Sequence, residues 1–80
     1  MNTYEAVIKR IEELCQEREL TCNGLSYCAG VSQSTIKSIM NGESQNPGIV
    51  TLKKLCDGLN ISLTDFFDTE YFHNLEQELK

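Results

Sequence analysis

The stretch TCNGLSYCAGVSQSTIKSIMNG, residues 21–42, decides how this chain folds. Thr21 stands as a helix N-cap ahead of Leu25, Cys28 and Ala29, which share one side of a short segment, and Gly30 then ends it as a left-handed C-terminal residue does. The spacing predicts a helix over Cys22–Ala29. Only Gly30 and Val31 intervene before Ser32 restarts the chain, and Ile36 and Ile39 give the next segment an apolar stripe that stops at Asn41 and Gly42. A second helix is expected from Gln33 to about Asn41. Two short helices joined by so tight a turn cannot lie antiparallel, so they must cross steeply, the geometry of a helix-turn-helix.

Working outward, Asn2 or Thr3 can cap a helix from about Tyr4 to Arg18 whose apolar residues Val7, Ile8, Ile11 and Leu14 recur at helical spacing, with Asn2 and Glu5 placed as a capping-box pair. Its charged face of Glu5, Lys9, Glu12, Glu13 and Glu17 reads as solvated surface. Downstream, residues 43–48 form a polar loop. Ile49, Leu52, Leu55, Cys56 and Leu59 then mark a helix over Ile49–Leu59, and Ser62 caps a short one over Leu63–Phe67. The tail YFHNLEQELK carries Tyr71, Phe72, Leu75 and Leu79 at helical spacing with no core left to cover, which allows a short C-terminal helix.

Eighty residues make one domain, and 40% hydrophobic with 24% charged residues is globular composition. No apolar run is long enough for a membrane span and the N-terminus lacks a secretory signal, so a soluble cytoplasmic protein is the expectation. The formal charge of −5 argues against nucleic-acid binding through bulk positive charge, so any such binding must be local. Cys15, Cys22, Cys28 and Cys56 are separated by 6, 5 and 27 residues, with no metal-binding knuckle. They read as small hydrophobes on helices, with Cys22 the better candidate should any of them be redox-active. His73 alone gives thiol catalysis no convincing base, and no enzyme activity, cofactor, metal or small-molecule substrate is expected.

The ordered series Leu20-Thr21, Leu25, Ala29-Gly30-Val31-Ser32, Thr35-Ile36, Ile39, Asn41-Gly42, Pro47, Leu52, Leu55, Leu59-Asn60-Ile61-Ser62 and Phe66-Phe67 resembles the Cro/C1-type (XRE) helix-turn-helix repressors. The resemblance implies a compact all-α, five-helix, lambda-repressor-like DNA-binding domain over residues 1–69, with residues 70–80 a tail. It implies that Gln33, Ser34, Lys37 and Ser38 face base edges, and their chemistry fits: Gln suits adenine, Lys suits guanine and Ser tolerates either. It also implies phosphate contacts at Thr21, Cys22, Ser32, Thr35, Asn41 and Gly42, although capping alone would explain Ser32. From Thr21 to Cys56 the net charge is +2, from Lys37, Lys53 and Lys54 against Glu43, so the remainder holds −5 − 2 = −7.

Three departures from the family pattern stand out. Cys15 and Met40 replace a frequent Arg–Glu pair, an exchange of a buried ion pair for packing. Cys22 replaces a Gln that bonds phosphate, and Glu19 stands where Gly is common, while Ser44, Gln45 and Asn46 replace the basic residues often found in the loop. The expected activity is that of a transcriptional repressor binding a two-fold symmetric operator in double-stranded DNA as a homodimer, since one such domain reads only a few base pairs. Phe66, Phe67, Tyr71, Phe72 and Leu75 exceed what so small a core can bury and form the expected dimer surface. The rival expectation is a helix-turn-helix scaffold that binds proteins, as an antirepressor or adaptor, with little affinity for DNA.

Overall fold

The computed structural model describes residues 1–79 and contains, among them, six helices and no strand. In chain order these are α1 (Thr3–Glu17), α2 (Cys22–Ala29), α3 (Gln33–Met40), α4 (Ile49–Leu59), α5 (Leu63–Phe67) and α6 (Glu70–His73). Most start where a side chain can satisfy the orphan amides of the first turn. Asn2 Oδ1 accepts from the Glu5 amide and Glu5 Oε1 accepts from the Asn2 amide, both at 2.8 Å, which closes the expected capping box. Thr21, Ser32 and Ser62 cap α2, α3 and α5 through the amides of Gly24, Thr35 and Asp65 at 3.0, 3.2 and 2.9 Å.

The helix ends follow from left-handed residues. Gly30 closes α2 at φ +67° without strain. At the end of α1 the Leu20 amide bonds Cys15 O at 2.9 Å and the Glu19 amide bonds Gln16 O at 3.2 Å, a Schellman closure that requires Glu19 at φ +53°. A side chain in that conformation costs on the order of 1 kcal/mol relative to glycine, so the departure at Glu19 is a strain that the rest of the fold absorbs. Asn60 closes α4 in the same way at φ +59°, a residue type that tolerates it better.

Val7, Ile11, Leu14, Leu25, Val31, Ile36, Ile39, Leu52, Leu55, Cys56, Leu59 and Phe66 form one buried cluster. Two expectations change here. Phe66, counted from the sequence toward a dimer surface, is 0% exposed and belongs to the core, because α5 turns it inward under α1 and α4. Ile49, read as part of the apolar stripe of α4, is 59% exposed, because it stands in the first turn ahead of the buried series that begins at Leu52. All four cysteines lie on helices, but only Cys56 is buried; Cys15 and Cys22 are half-buried and Cys28 is exposed. No helix among the described residues is long and apolar enough to cross a membrane.

The tail does find a surface to cover. Its helix is a single turn, and Phe72 stacks edge-on against Phe67 at 5.1 Å and lies 6.2 Å from Phe66. Tyr71 donates its hydroxyl to the Glu13 carboxylate, while Lys9 Nζ sits 4.8 Å from the centre of the Tyr71 ring. Burial first, then that bond and the charge of Glu13, push the Tyr71 phenol up to about 12. Beyond α6 the chain leaves helical geometry, because Asn74 caps it and the acids that follow bind the start of α1. Glu78 Oε2 accepts from the amide and hydroxyl of Thr3 at 3.3 and 3.1 Å, and the Glu76 amide donates to Met1 O at 3.2 Å. Lys80, the last residue of the expected tail, lies outside the described residues.

Helices α2 and α4 approach each other at backbone distance. A Cβ at Gly58 would stand 2.8 Å from both Cα and N of Ala29, backbone atoms that cannot swing aside. Glycine inside a helix costs about 0.5–1 kcal/mol, and here the cost is offset by an approach that no other residue permits. Gly58→Ala should therefore lower the free energy of unfolding by about 1–3 kcal/mol in urea denaturation, despite the better helix propensity of alanine. An unchanged or raised stability would mean that α2 and α4 can separate without loss.

Candidate nucleic-acid interface

Ile36 and Ile39 are 2% and 1% exposed, which fixes the rotation of α3 about its axis. The opposite face must then carry Gln33, Ser34 and Lys37, which are exposed, and Ser38, which is half-buried. This face holds no acid. The candidate phosphate contacts sit around it. Thr21, Ser32, Thr35 and Asn41 are exposed, whereas Cys22 and Gly42 are half-buried. Ser32 is engaged as the cap of α3 and its hydroxyl also lies 2.8 Å from that of Thr35 and 3.3 Å from that of Ser34, so three hydroxyls cluster at the start of the helix. Gly42 at φ +91° lets the chain leave α3 sharply.

Two polar contacts on this face could not be read from periodicity. Gln33 Nε2 donates to Asn23 Oδ1 at 2.5 Å, tying the first residue of α3 to the first turn of α2. Asn23 had no apolar or capping signal to single it out; only the short turn, which keeps the two helices adjacent, hints at it. The second contact involves Glu43. Its carboxylate accepts from Asn41 Nδ2 at 3.1 Å and lies 3.5 Å from Ser38 Oγ, while its amide donates to Asn41 Oδ1 at 3.1 Å. A negative charge therefore stands beside two candidate contact residues.

The positive charge of the molecule is mostly occupied elsewhere. Arg10 donates to the carbonyls of Phe66 and Asp65 at 2.7 and 2.8 Å, and Arg18 donates to Leu59 O at 3.0 Å, so both close helix ends as C-terminal cations do. Lys9 is held over Tyr71 and Lys53 pairs with Asp57. Among the described residues Lys37 and Lys54 alone of the Lys and Arg side chains have no such partner. Gly48 caps α4 without a side-chain acceptor, which leaves its first-turn amides open beside exposed Ile49 and Val50. No group of three or more His, Cys, Asp or Glu among the described residues could hold a metal ion.

A model of the Cro/C1-type HTH DNA-binding domain matches residues 10–71. The chain is 37% identical over 65 residues to the HTH-type transcriptional regulator SlrR and 39% identical over 57 residues to the HTH-type transcriptional repressor RghR, both of Bacillus subtilis (strain 168). The first alignment covers 80% of this chain and 43% of the relative, the second 71% and 42%, so the chain spans less than half the length of these curated relatives. The crystal structure of the prophage Lp1 protein 11 matches with a TM-score of 0.78 at 38% identity, over 90% of this chain and 96% of that one.

Asn23→Ala should release the Gln33 carboxamide. In a nitrogen–proton correlation spectrum the Gln33 side-chain resonances should move toward solvent-exposed values, with stability changed by no more than about 0.5 kcal/mol at so exposed a site. Unmoved resonances would show that the two side chains do not meet in solution.

Proposed function

The chain belongs to the Cro/C1-type helix-turn-helix DNA-binding family, and on that premise we propose that it is a sequence-specific transcriptional regulator acting in the cytoplasm, a repressor that covers a two-fold symmetric operator as a homodimer. The observation that carries the reading is the outward face of α3, a helix with no acid of its own, in which Gln33, Ser34, Lys37 and the half-buried Ser38 present donors and acceptors away from Ile36 and Ile39. Gln33 reads a base edge, held ready by Asn23. Thr21, Cys22, Ser32, Thr35, Asn41 and the Gly42 amide hold phosphates, joined by the open first turn of α4.

Selection of bound duplexes from a random pool gives the site, and the variants then test the roles. Gln33→Ala should lose about 1–3 kcal/mol on the selected site with nonspecific binding nearly unchanged. Equal loss on both DNAs would remove base reading from α3. Because Arg10, Arg18, Lys9 and Lys53 are occupied, few phosphates are neutralised by mobile cations. The slope of log K against log salt should be on the order of −4 or shallower for a dimer. A slope near −8 would mean that those cations leave their partners to reach DNA.

Residues 70–80 serve as the dimerisation extension of a domain over residues 1–69, and its surface is Phe67, Tyr71, Phe72 and Leu75, each only partly covered. Leu75→Glu should give a folded monomer by sedimentation and weaken operator binding; a persistent dimer would place the interface elsewhere. A second reading, a protein-binding scaffold with little affinity for DNA, is favoured by Glu43 beside Ser38 and Asn41. Gel shifts on random duplexes at low salt separate the two, since the scaffold would shift none.

A further inference from the structure

Between the C-terminal half of α1, the start of α2 and the end of α3 lies a cavity of about 240 Å3. Cys15, Cys22 and Met40 line it together with the core side chains Leu25 and Ile36, and Glu12 stands among its lining residues. These three sulfur-bearing residues come from three different helices. The two cysteines are half-buried and both thiols are free. Burial pushes the Cys15 thiol up, the neighbouring Cys22 thiol adds to that, and Arg18 opposes it. Cys15 is thus a protonated, poorly nucleophilic thiol at neutral pH, unsuited to peroxide or electrophile chemistry. A metal ion is a different matter, because it displaces the thiol proton whatever its resting affinity.

We propose that the cavity lined by Cys15, Cys22 and Met40 is a binding site for a soft monovalent cation, Cu(I). Two thiolates and one thioether form the donor set that selects Cu(I), whereas Zn(II) asks for four nitrogen, sulfur or carboxylate ligands. A four-ligand set of that kind is not assembled here, since Glu12 is the one carboxylate in the lining and His73 is on α6 beside Asp68. Binding forms two copper–thiolate bonds and one copper–thioether bond and releases two protons to solvent. The site therefore goes from neutral to a net charge of −1. That charge is shared by Cys15 and Cys22, and Cys22 is the first residue of α2 and a candidate phosphate contact, so copper loading opposes DNA binding.

The test uses the reduced full chain under anaerobic conditions, titrated with Cu(I) against a bidentate chromogenic chelator. One equivalent should be held, with the ultraviolet charge-transfer band of copper–thiolate bonds. Cys15→Ser and Cys22→Ser should each abolish that binding, Cys28→Ser should leave it intact, and Met40→Leu, which keeps the core volume, should weaken it. Retention by either of the first two variants, loss in Cys28→Ser, full affinity in Met40→Leu or equally tight Zn(II) binding would each overturn the assignment. Circular dichroism separates loss of ligand from loss of fold, and if either serine variant unfolds, copper-edge X-ray absorption of the wild type decides, since fewer than three sulfur neighbours refutes the site. The regulatory part rests on the DNA-binding reading above. Copper should weaken binding to the selected duplex about fivefold, the scale of one added charge near a phosphate in water. If the chain shifts no DNA with or without copper, the functional reading fails while the copper titration still decides the site; unchanged affinity on loading refutes the coupling alone.

Discussion

Helices α2 and α4 meet backbone to backbone at Ala29 and Gly58, and the exposed face of α3 is oriented through that contact. An eight-residue helix such as α3 has little stability alone, so its position must be inherited from what it packs on. Ile36 and Ile39 bind it to the core, the short turn through Gly30 fixes where it begins, and α2, from which that turn departs, is set by α4. A wider separation at Gly58 would tilt α2 and carry Gln33 and Lys37 with it. Stability and the orientation of the outward face of α3 are therefore controlled by the same few atoms.

The electrostatics follow a division of labour. An acidic chain cannot hold DNA by bulk attraction, and this one commits Arg10, Arg18 and Lys9 to closing helices and pinning the tail. What remains near α3 is a set of hydroxyls, carboxamides and helix-end amides, groups that position by direction more than by charge. Glu43 adds a negative charge beside Ser38 and Asn41, which weakens further any attraction by bulk charge at this end of α3. On the DNA-binding role proposed above, such a surface favours discrimination over raw affinity.

The helices were legible because their signals are local. Asn2 with Glu5, Thr21, Ser32, Ser62 and Gly30 each act within one turn, and the boundaries they imply hold to about a residue. The side of α3 that faces outward was legible too, since Ile36 and Ile39 define its complement. What escaped depends on contacts between elements. Gly58 looks like an ordinary weak spot in a helix until Ala29 is brought against it, and Asn23 is unremarkable until α3 places Gln33 beside it. The roles of Arg10 and Arg18 carry no sequence signal, because the carbonyls that capture them lie 41 to 56 residues away in sequence. Phe66 could not be told from Phe67 by spacing in a helix of five residues.

The folding of the tail onto α1 brings the segment Glu76–Glu78 against Met1 and Thr3, so the two termini of the described chain are neighbours. A few added residues would span them and turn the linear chain into a ring. New ends could then be opened in the polar loop between α3 and α4, which is exposed along much of its length and carries none of the buried cluster. In such a circular permutant α1 and α4 would trade their order in synthesis while the paired helices α2 and α3 stayed contiguous, which separates the part of the architecture that depends on chain order from the part that depends only on packing.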